Sequence, residues 1–252
     1  MKIIAIIPAR MGSSRFPGKP LAPILGRPMI EHVYHRTALC KALSEVYVAT
    51  CDTVIFEAVE SFGGRAMMTA PTHERASDRV AEAAADLDAD VIVMVQGDEP
   101  MTYPEMIAES LVPFLKGDEE VACVNLTARI TSPEEFRDPN TIKVVMDASG
   151  HALYMSREPI PTLHLQDFER IPAFKQVCII PFTNIALQEF IRLEPTPLEI
   201  AESIDMMRFI EHGRKVKMIE TSFSTHAVDN PADLKLVETL LREDPLMQSY
   251  HH

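Results

Sequence analysis

Arg10, Arg15 and Lys19 share one short segment with Gly12, Ser13 and Ser14, directly after the apolar run Lys2 to Ile7. Small residues let backbone N–H groups approach phosphate oxygens, and spaced cations neutralise a charge that no neutral loop could hold. The chemistry this predicts is polyphosphate binding. The alternative is a solvated loop that is merely basic; loops after buried strands often carry function, which favours the first reading.

Carboxylates supply a second ingredient. Val91 to Val95 reads as a buried strand ending in Gln96-Gly97-Asp98-Glu99-Pro100. In open α/β sheets ligands bind at the carboxyl ends of strands, which places Asp98 well for a divalent metal and lets Gly97 bring backbone close to a ligand. Asp98 fits equally as a turn residue before Pro100. Asp229, in Val228-Asp229-Asn230-Pro231, either just precedes the cap of the last helix or folds back as a second Mg²⁺ ligand. Mg²⁺ is usually held by one or two carboxylates plus phosphate oxygens, so this pair would suffice.

The elements that must position these groups follow from periodicity. Lys2 to Ile7 reads as a strand broken at Pro8, Arg27 to Lys41 as a helix opened by Pro28, and Glu45 to Thr50 as a strand. A helix over Thr53 to Ser61 ends at Gly63-Gly64, Ala66 to Met68 is a short strand, and helices cover Ser77 to Leu87 and Pro104 to Leu115. Strand–helix alternation with short links predicts an α/β fold: a doubly wound, mostly parallel nucleotide-binding sheet. Beyond it the pattern changes to a mixed-strand extension. Strands are read at Val121 to Thr127, Ile142 to Met146, His151 to Tyr154, Val177 to Phe182 and Val216 to Glu220, with a hairpin turn between Val144 and His151. Thr162 to Pro172 is a loop, Leu198 to Glu211 a helix, and Pro231 to Leu241 a closing helix with Asn230 and Asp233 in a capping box. With no repeat or linker composition, residues 1–252 are read as one domain, a doubly wound nucleotide-binding half with the mixed-strand extension at about 120–225.

Composition narrows the partners. The 252 residues are 46% hydrophobic and 24% charged, ordinary for a globular protein. A net charge of −13 argues against nucleic acid and anionic membranes as partners, so any anion site must be local. Cys40, Cys51, Cys123 and Cys178 lie far apart and read as reduced thiols of a cytoplasmic protein. No apolar run is long enough for a transmembrane helix, and the first is too short for a signal peptide. The histidines show no paired metal spacing, the 14 Met residues read as core filler, and His251-His252 is compatible with a tag remnant.

The segments IPARMGSSRFPGKPL, HERASDRVAEA, VQGDEP, DPNTIKVVMD, ALYMSREPIP, TPLEIAESIDMMR and VDNPADL occur in this order. Together, from Ile3 to about Leu241, they resemble the 3-deoxy-manno-octulosonate (Kdo) cytidylyltransferases, also called CMP-Kdo synthetases. The resemblance implies a nucleotide-diphospho-sugar transferase-like fold and transfer of CMP from CTP to the anomeric hydroxyl of a sugar acid, releasing pyrophosphate. It also implies Mg²⁺, a cytoplasmic homodimer and a place in lipopolysaccharide synthesis. By the same resemblance Arg10, Ser13, Arg15 and Lys19 would hold the triphosphate, and Pro8, Ala9, Arg79 and Gln96 would place the nucleotide. Asp98 and Asp229 would bind Mg²⁺, and Arg157 would meet the sugar-acid carboxylate. Arg10, Lys19, Asp98 and Asp229 are the expected catalytic set: phosphoryl-type transfer needs alignment and charge neutralisation more than covalent work by the protein.

Two stretches depart from that pattern. Members usually carry HxSGT where this chain has His73-Glu74-Arg75-Ala76-Ser77, so Arg75 either adds a nucleotide contact or fills space. Members usually carry a His and a Tyr at the sugar site where this chain has Gln176 and Ile180, and Met206 replaces a polar Gln near Glu202, Asp205 and Arg208. Such changes predict a different or modified sugar acid, for example an amino-modified one, read by Gln176, Glu202, Arg157 and Tyr154; repacking of core positions explains them as well. Tyr154 fits a pocket wall and a packed strand residue equally. From another class, a nucleotide-binding sensor or partner subunit without transfer activity is the competing reading.

Overall fold

The computed structural model describes residues 1–12, 16–163 and 167–250. In chain order, β1 (Ile3–Ala9) leads through a 3-10 turn (Lys19–Leu21) to the two-residue strands β2 (Pro23–Ile24) and β3 (Arg27–Pro28) and to α1 (Met29–Ala38). Then come β4 (Glu45–Thr50), α2 (Thr53–Ser61), β5 (Ala66–Met68), α3 (Ala76–Ala84), β6 (Val91–Val95) and α4 (Pro104–Leu115). The next stretch holds β7 (Val124–Arg129), α5 (Pro133–Arg137), β8 (Lys143–Met146), β9 (Ala152–Ser156), β10 (Phe174–Val177) and β11 (Ile179–Thr183). It closes with α6 (Asn184–Phe190), α7 (Pro197–Glu202), α8 (Met206–Glu211) and β12 (Lys217–Glu220), before α9 (Pro231–Arg242).

The chain divides into two compact units, one made of residues 1–108 and 224–252, the other of 109–223. The second overlaps the extension expected at about 120–225. In the first unit the strands lie in the order β6-β1-β4-β5, all parallel. Every residue of β1 and β6 is buried, which is why both read as unbroken apolar runs rather than alternating ones.

β1 runs two residues beyond the break expected at Pro8, pairing with β4 as far as Ala9 and Thr50. The Lys2 carbonyl accepts from the Asp90 and Val91 N–H groups, so even-numbered positions of β1 face β6. Pairing with β6 ends at Ile6 and Met94, so the N–H that Pro8 lacks costs no ladder bond. Gly97 fills the space beside it. A Cβ at Gly97 would come within 2.6 Å of the Pro8 carbonyl oxygen. Gly97 thus makes a close backbone approach to β1.

In the second unit the sheet order is β12-β7-β10-β8-β9. β12 runs parallel to β7, while β10 is antiparallel to β7 and β8, and β8 and β9 form the predicted hairpin. Its edges meet: the Ala152 N–H donates to Val216 and the Met218 N–H to Gly150, at 2.9 and 2.8 Å. That closure covers backbone that an open edge would expose. Phe182, Phe190 and Phe209 pack edge to face in the core, and the buried Arg208 lies over the Phe190 ring while pairing with Glu199 at 2.6 Å.

Several expectations need correction. The strand read over Val177 to Phe182 is two strands separated at Cys178. The helix read over Leu198 to Glu211 is two, because Ser203 caps α7 in the left-handed region at φ 54°. Apolar periodicity continues through Ile200, Ile204 and Met207, which hides that break in the sequence. Helices α5 and α6 were not foreseen; each starts at a hydroxyl cap, Ser132 or Thr183. The Thr162 to Pro172 loop carries a 3-10 turn at Phe168–Arg170 that packs Phe168 and Ile171 on Phe136.

The last residues belong to the core of the first unit. Val228, Val237, Leu241, Met247 and Tyr250 pack with Ile24, Met29 and Met101. Arg36, fully buried, pairs with Asp244 at 2.7 Å and donates to the Met101 and Thr102 carbonyls. Breaking a buried pair leaves an uncompensated charge. Asp244→Asn is therefore expected to cost about 3 kcal/mol in denaturant unfolding at neutral pH; a loss below about 1 kcal/mol would show that the carbonyls alone satisfy Arg36.

Candidate active site

The basic loop is pinned where it leaves and re-enters the described chain. The Met11 N–H donates to Asp52 Oδ2 at 2.7 Å, and the Gly18 N–H donates to the Met11 carbonyl at 3.1 Å. Gly18 has φ 74°, a conformation that favours glycine, and it launches the 3-10 turn that begins at Lys19. Asp52 occupies the cap position of α2 without capping it, its carboxylate being turned to the loop instead. Sequence reasoning missed Asp52; its place directly after strand β4 was the available signal. Pro8 and Ala9 are buried at the end of β1, and Arg10 is exposed. Ser13 and Arg15 lie outside the described residues.

Lys19 joins both acidic segments. Its Nζ lies 2.8 Å from Asp98 Oδ2 and 3.5 Å from Asp229 Oδ1, so two carboxylates 131 positions apart in sequence share one ammonium. The Val228 N–H donates to the Asp98 carbonyl at 2.9 Å, and this backbone tie sets Asp229 beside Asp98. Behind it, Asp233 accepts from the Asp229 and Asn230 N–H groups, and Asn230 caps α9 in the predicted box. The three side chains are 13%, 30% and 27% exposed, open enough to meet a ligand and closed enough to limit screening. Among the described residues no group of three or more His, Cys, Asp or Glu is placed to hold a metal.

The remaining nucleotide candidates differ in exposure. Arg79 on α3 is buried and donates to the Thr69 hydroxyl, whereas Arg75, just ahead of α3, and Gln96, just after β6, are half-buried. His73 pairs with Glu82, which also accepts from the Ala70 N–H at 2.9 Å.

In the second unit Glu202 is the hub. It accepts from the Tyr154 hydroxyl at 3.1 Å, the Ser156 hydroxyl at 2.8 Å and the Arg157 N–H at 2.8 Å. Burial pushes its carboxyl up, but these donors and the Arg157 charge outweigh it and hold the group below its ordinary value. Burial, and the bond to Glu202, raise the Tyr154 phenol. The Arg157 guanidinium donates from Nε to the Glu202 carbonyl, from Nη1 to Pro139 and from Nη2 to Ser203. Five guanidinium donors less these three leave one on each terminal nitrogen, the number a bidentate carboxylate grip uses. Lys143, fully buried, supports the cluster from below by donating to the carbonyls of Asp138, Thr141 and Arg157, and burial lowers its pKa. Gln176 is half-buried and donates to Asn125 at 2.6 Å, whose own amide is fixed by the Val177 carbonyl. Ile180 and Met206 are 2% and 0% exposed, so at these two departures the packing explanation accounts for the apolar side chain.

A carboxyl held below its unfolded value contributes stability above that value and loses it as pH falls through the folded one. Glu202→Gln is thus expected to be less stable than the parent by about 1 kcal/mol near neutral pH. The gap should close in unfolding curves as pH falls below the ordinary glutamate range and acid protonates Glu202. A gap that widens in acid would show that Glu202 gains nothing from its donors.

Comparison with known proteins gives the family. A family model described as cytidylyltransferase matches residues 4–218. A 3-deoxy-manno-octulosonate cytidylyltransferase of Geobacter metallireducens is 48% identical over 252 residues, covering 96% of this chain and 99% of that one. An 8-amino-3,8-dideoxy-manno-octulosonate cytidylyltransferase of Shewanella woodyi is 41% identical over 247 residues, covering 97% and 100%. The structure of a CMP:2-keto-3-deoxy-manno-octonic acid synthetase complexed with CTP superimposes with a TM-score of 0.88 at 38% identity, covering 96% of this chain and 99% of that chain. A glucose-1-phosphate thymidylyltransferase from Bacillus anthracis, described as putative in its own right, shares the fold at 13% identity and a TM-score of 0.69. With its parallel sheet, its strand-end carboxylates and these relatives, the chain belongs to the cytidylyltransferase family.

Proposed function

We propose that this chain transfers CMP from CTP to the anomeric hydroxyl of 3-deoxy-manno-octulosonate, releasing pyrophosphate for lipopolysaccharide synthesis. The observation that carries the reading is the convergence of Lys19, Asp98 and Asp229, joined to 48% identity with a Geobacter metallireducens enzyme named for this activity. Arg10 and Lys19, with Ser13 and Arg15, neutralise the triphosphate and stabilise charge that grows on the leaving pyrophosphate. Pro8, Ala9, Arg75, Arg79 and Gln96 orient the nucleotide. Arg157 takes the sugar-acid carboxylate with its two remaining donors, while Tyr154, Glu202 and Gln176 set the hydroxyl side of the pocket.

The donor set fits Mg²⁺: two carboxylates already gathered around a positive group match an ion that takes one or two carboxylates and fills its remaining positions with phosphate oxygens and water. Asp98 and Asp229 would hold it. When bound, it supplies Lewis-acid neutralisation of phosphate oxygens.

No helix among the described residues is long and apolar enough to cross a membrane. The cytoplasm and a homodimer complete the reading. The four cysteines are free thiols, and the second unit leaves Ile185, Ile200 and Leu153 exposed as apolar surface for a second copy.

A second acceptor, 8-amino-3,8-dideoxy-manno-octulosonate, is favoured by the 41% identical Shewanella woodyi relative. Pyrophosphate release from CTP with both acids separates the two, and CTP binding without release on either would leave only the nucleotide-binding sensor. In the same assay Lys19→Ala is expected to lose at least about tenfold in turnover, since one donor to developing charge is commonly worth roughly 3 kcal/mol; near-normal turnover would reject its triphosphate role. Arg157→Lys keeps the charge but loses the planar fork, so KM for the sugar acid should rise about tenfold with CTP affinity unchanged. An unaltered KM would remove Arg157 from the pocket.

A further inference from the structure

We propose that Lys19 is a placeholder cation. Before nucleotide arrives its ammonium occupies the space between Asp98 and Asp229 and competes with Mg²⁺ there. Nucleotide phosphates then draw it away, so that metal and nucleotide bind cooperatively. This rests on the reading of the two aspartates as the metal pair and goes beyond it, because it assigns Lys19 two successive partners.

The geometry supports an exchange. Nζ is within 3.5 Å of both carboxylates at once, where a divalent ion ligated by both would also have to sit. An ion entering while Lys19 stays in place meets an ammonium on its own ligands, and like charges at that range repel. The pair with Lys19 carries net charge −1; without it, −2. The Lys19 side chain can leave without moving its own backbone. Its backbone is fixed by the 3-10 turn, the Gly18 bend and the Lys19 N–H bond to the Phe16 carbonyl, while its four-carbon stem is flexible. A triphosphate offers the ammonium several acceptor oxygens and lowers the cost of giving up the two carboxylates. Linkage then requires reciprocity: whatever nucleotide gains from metal, metal gains from nucleotide.

The test uses the full chain and Mn²⁺ alone, with no nucleotide, following free Mn²⁺ by electron paramagnetic resonance. Lys19→Met and Lys19→Gln, two neutral replacements chosen so that one failing to fold does not end the test, should each bind Mn²⁺ about tenfold more tightly than the parent, within the usual range for coupled sites. Lys19→Arg, which keeps the charge, should bind as weakly as the parent. Melting temperature should follow, Mn²⁺ raising it more in the neutral variants. Equal or weaker Mn²⁺ binding in both neutral variants overturns the placeholder role and leaves the metal pair intact. Tighter binding that survives Asp98→Asn in the Lys19→Met background overturns the placement of the ion at the pair itself.

Discussion

A single ammonium group holds together two acids that the chain delivers from segments 131 positions apart. Asp98 arrives at the end of a central strand and Asp229 in front of the last helix, and without compensation their like charges would push the two segments apart. Lys19 and the Val228 N–H bond to the Asp98 carbonyl offset that repulsion, and the rest of the first unit can be understood as support for this arrangement. The Gly18 bend aims Lys19, Asp52 anchors the start of the loop, and Gly97 allows β1 and β6 to close on each other. The buried Arg36–Asp244 pair ties the segment after α9 to α1.

The second unit solves a different problem with the same means. Arg157 and Lys143 spend donors on backbone carbonyls, a use of cations that fixes irregular chain where neither helix nor sheet can satisfy it. Glu202 returns the favour as an acceptor for one N–H and two hydroxyls. The polar cluster is thereby preorganised, and a ligand binding there need not reorder it.

Much of this was legible in the residues. Strands β4 and β6 and helices α2 and α4 have the bounds their apolar periods predict, because each is long or apolar enough for burial to override local ambiguity. The Asn230–Asp233 box was readable for the same reason that it works, since cap and third residue are fixed by helix geometry. What stayed hidden depends on non-local partners. Nothing near Asp229 announces that the preceding N–H will find the Asp98 carbonyl, and nothing near Asp52 announces Met11. The positive φ of Ser203 left no mark either, since serine is tolerated in too many conformations to signal a helix end. Polar-to-apolar changes at Ile180 and Met206 looked like altered recognition in one dimension and are core in three.

The first unit is discontinuous, its residues 224–250 following the whole of the second in the order of synthesis. On the ribosome, therefore, a nascent chain carries the basic loop and Asp98 long before Asp229 and the Arg36 partner emerge. A half-made chain has only one of the two acids, so the acidic pair comes into being as a last event of assembly and not as a property of any fragment.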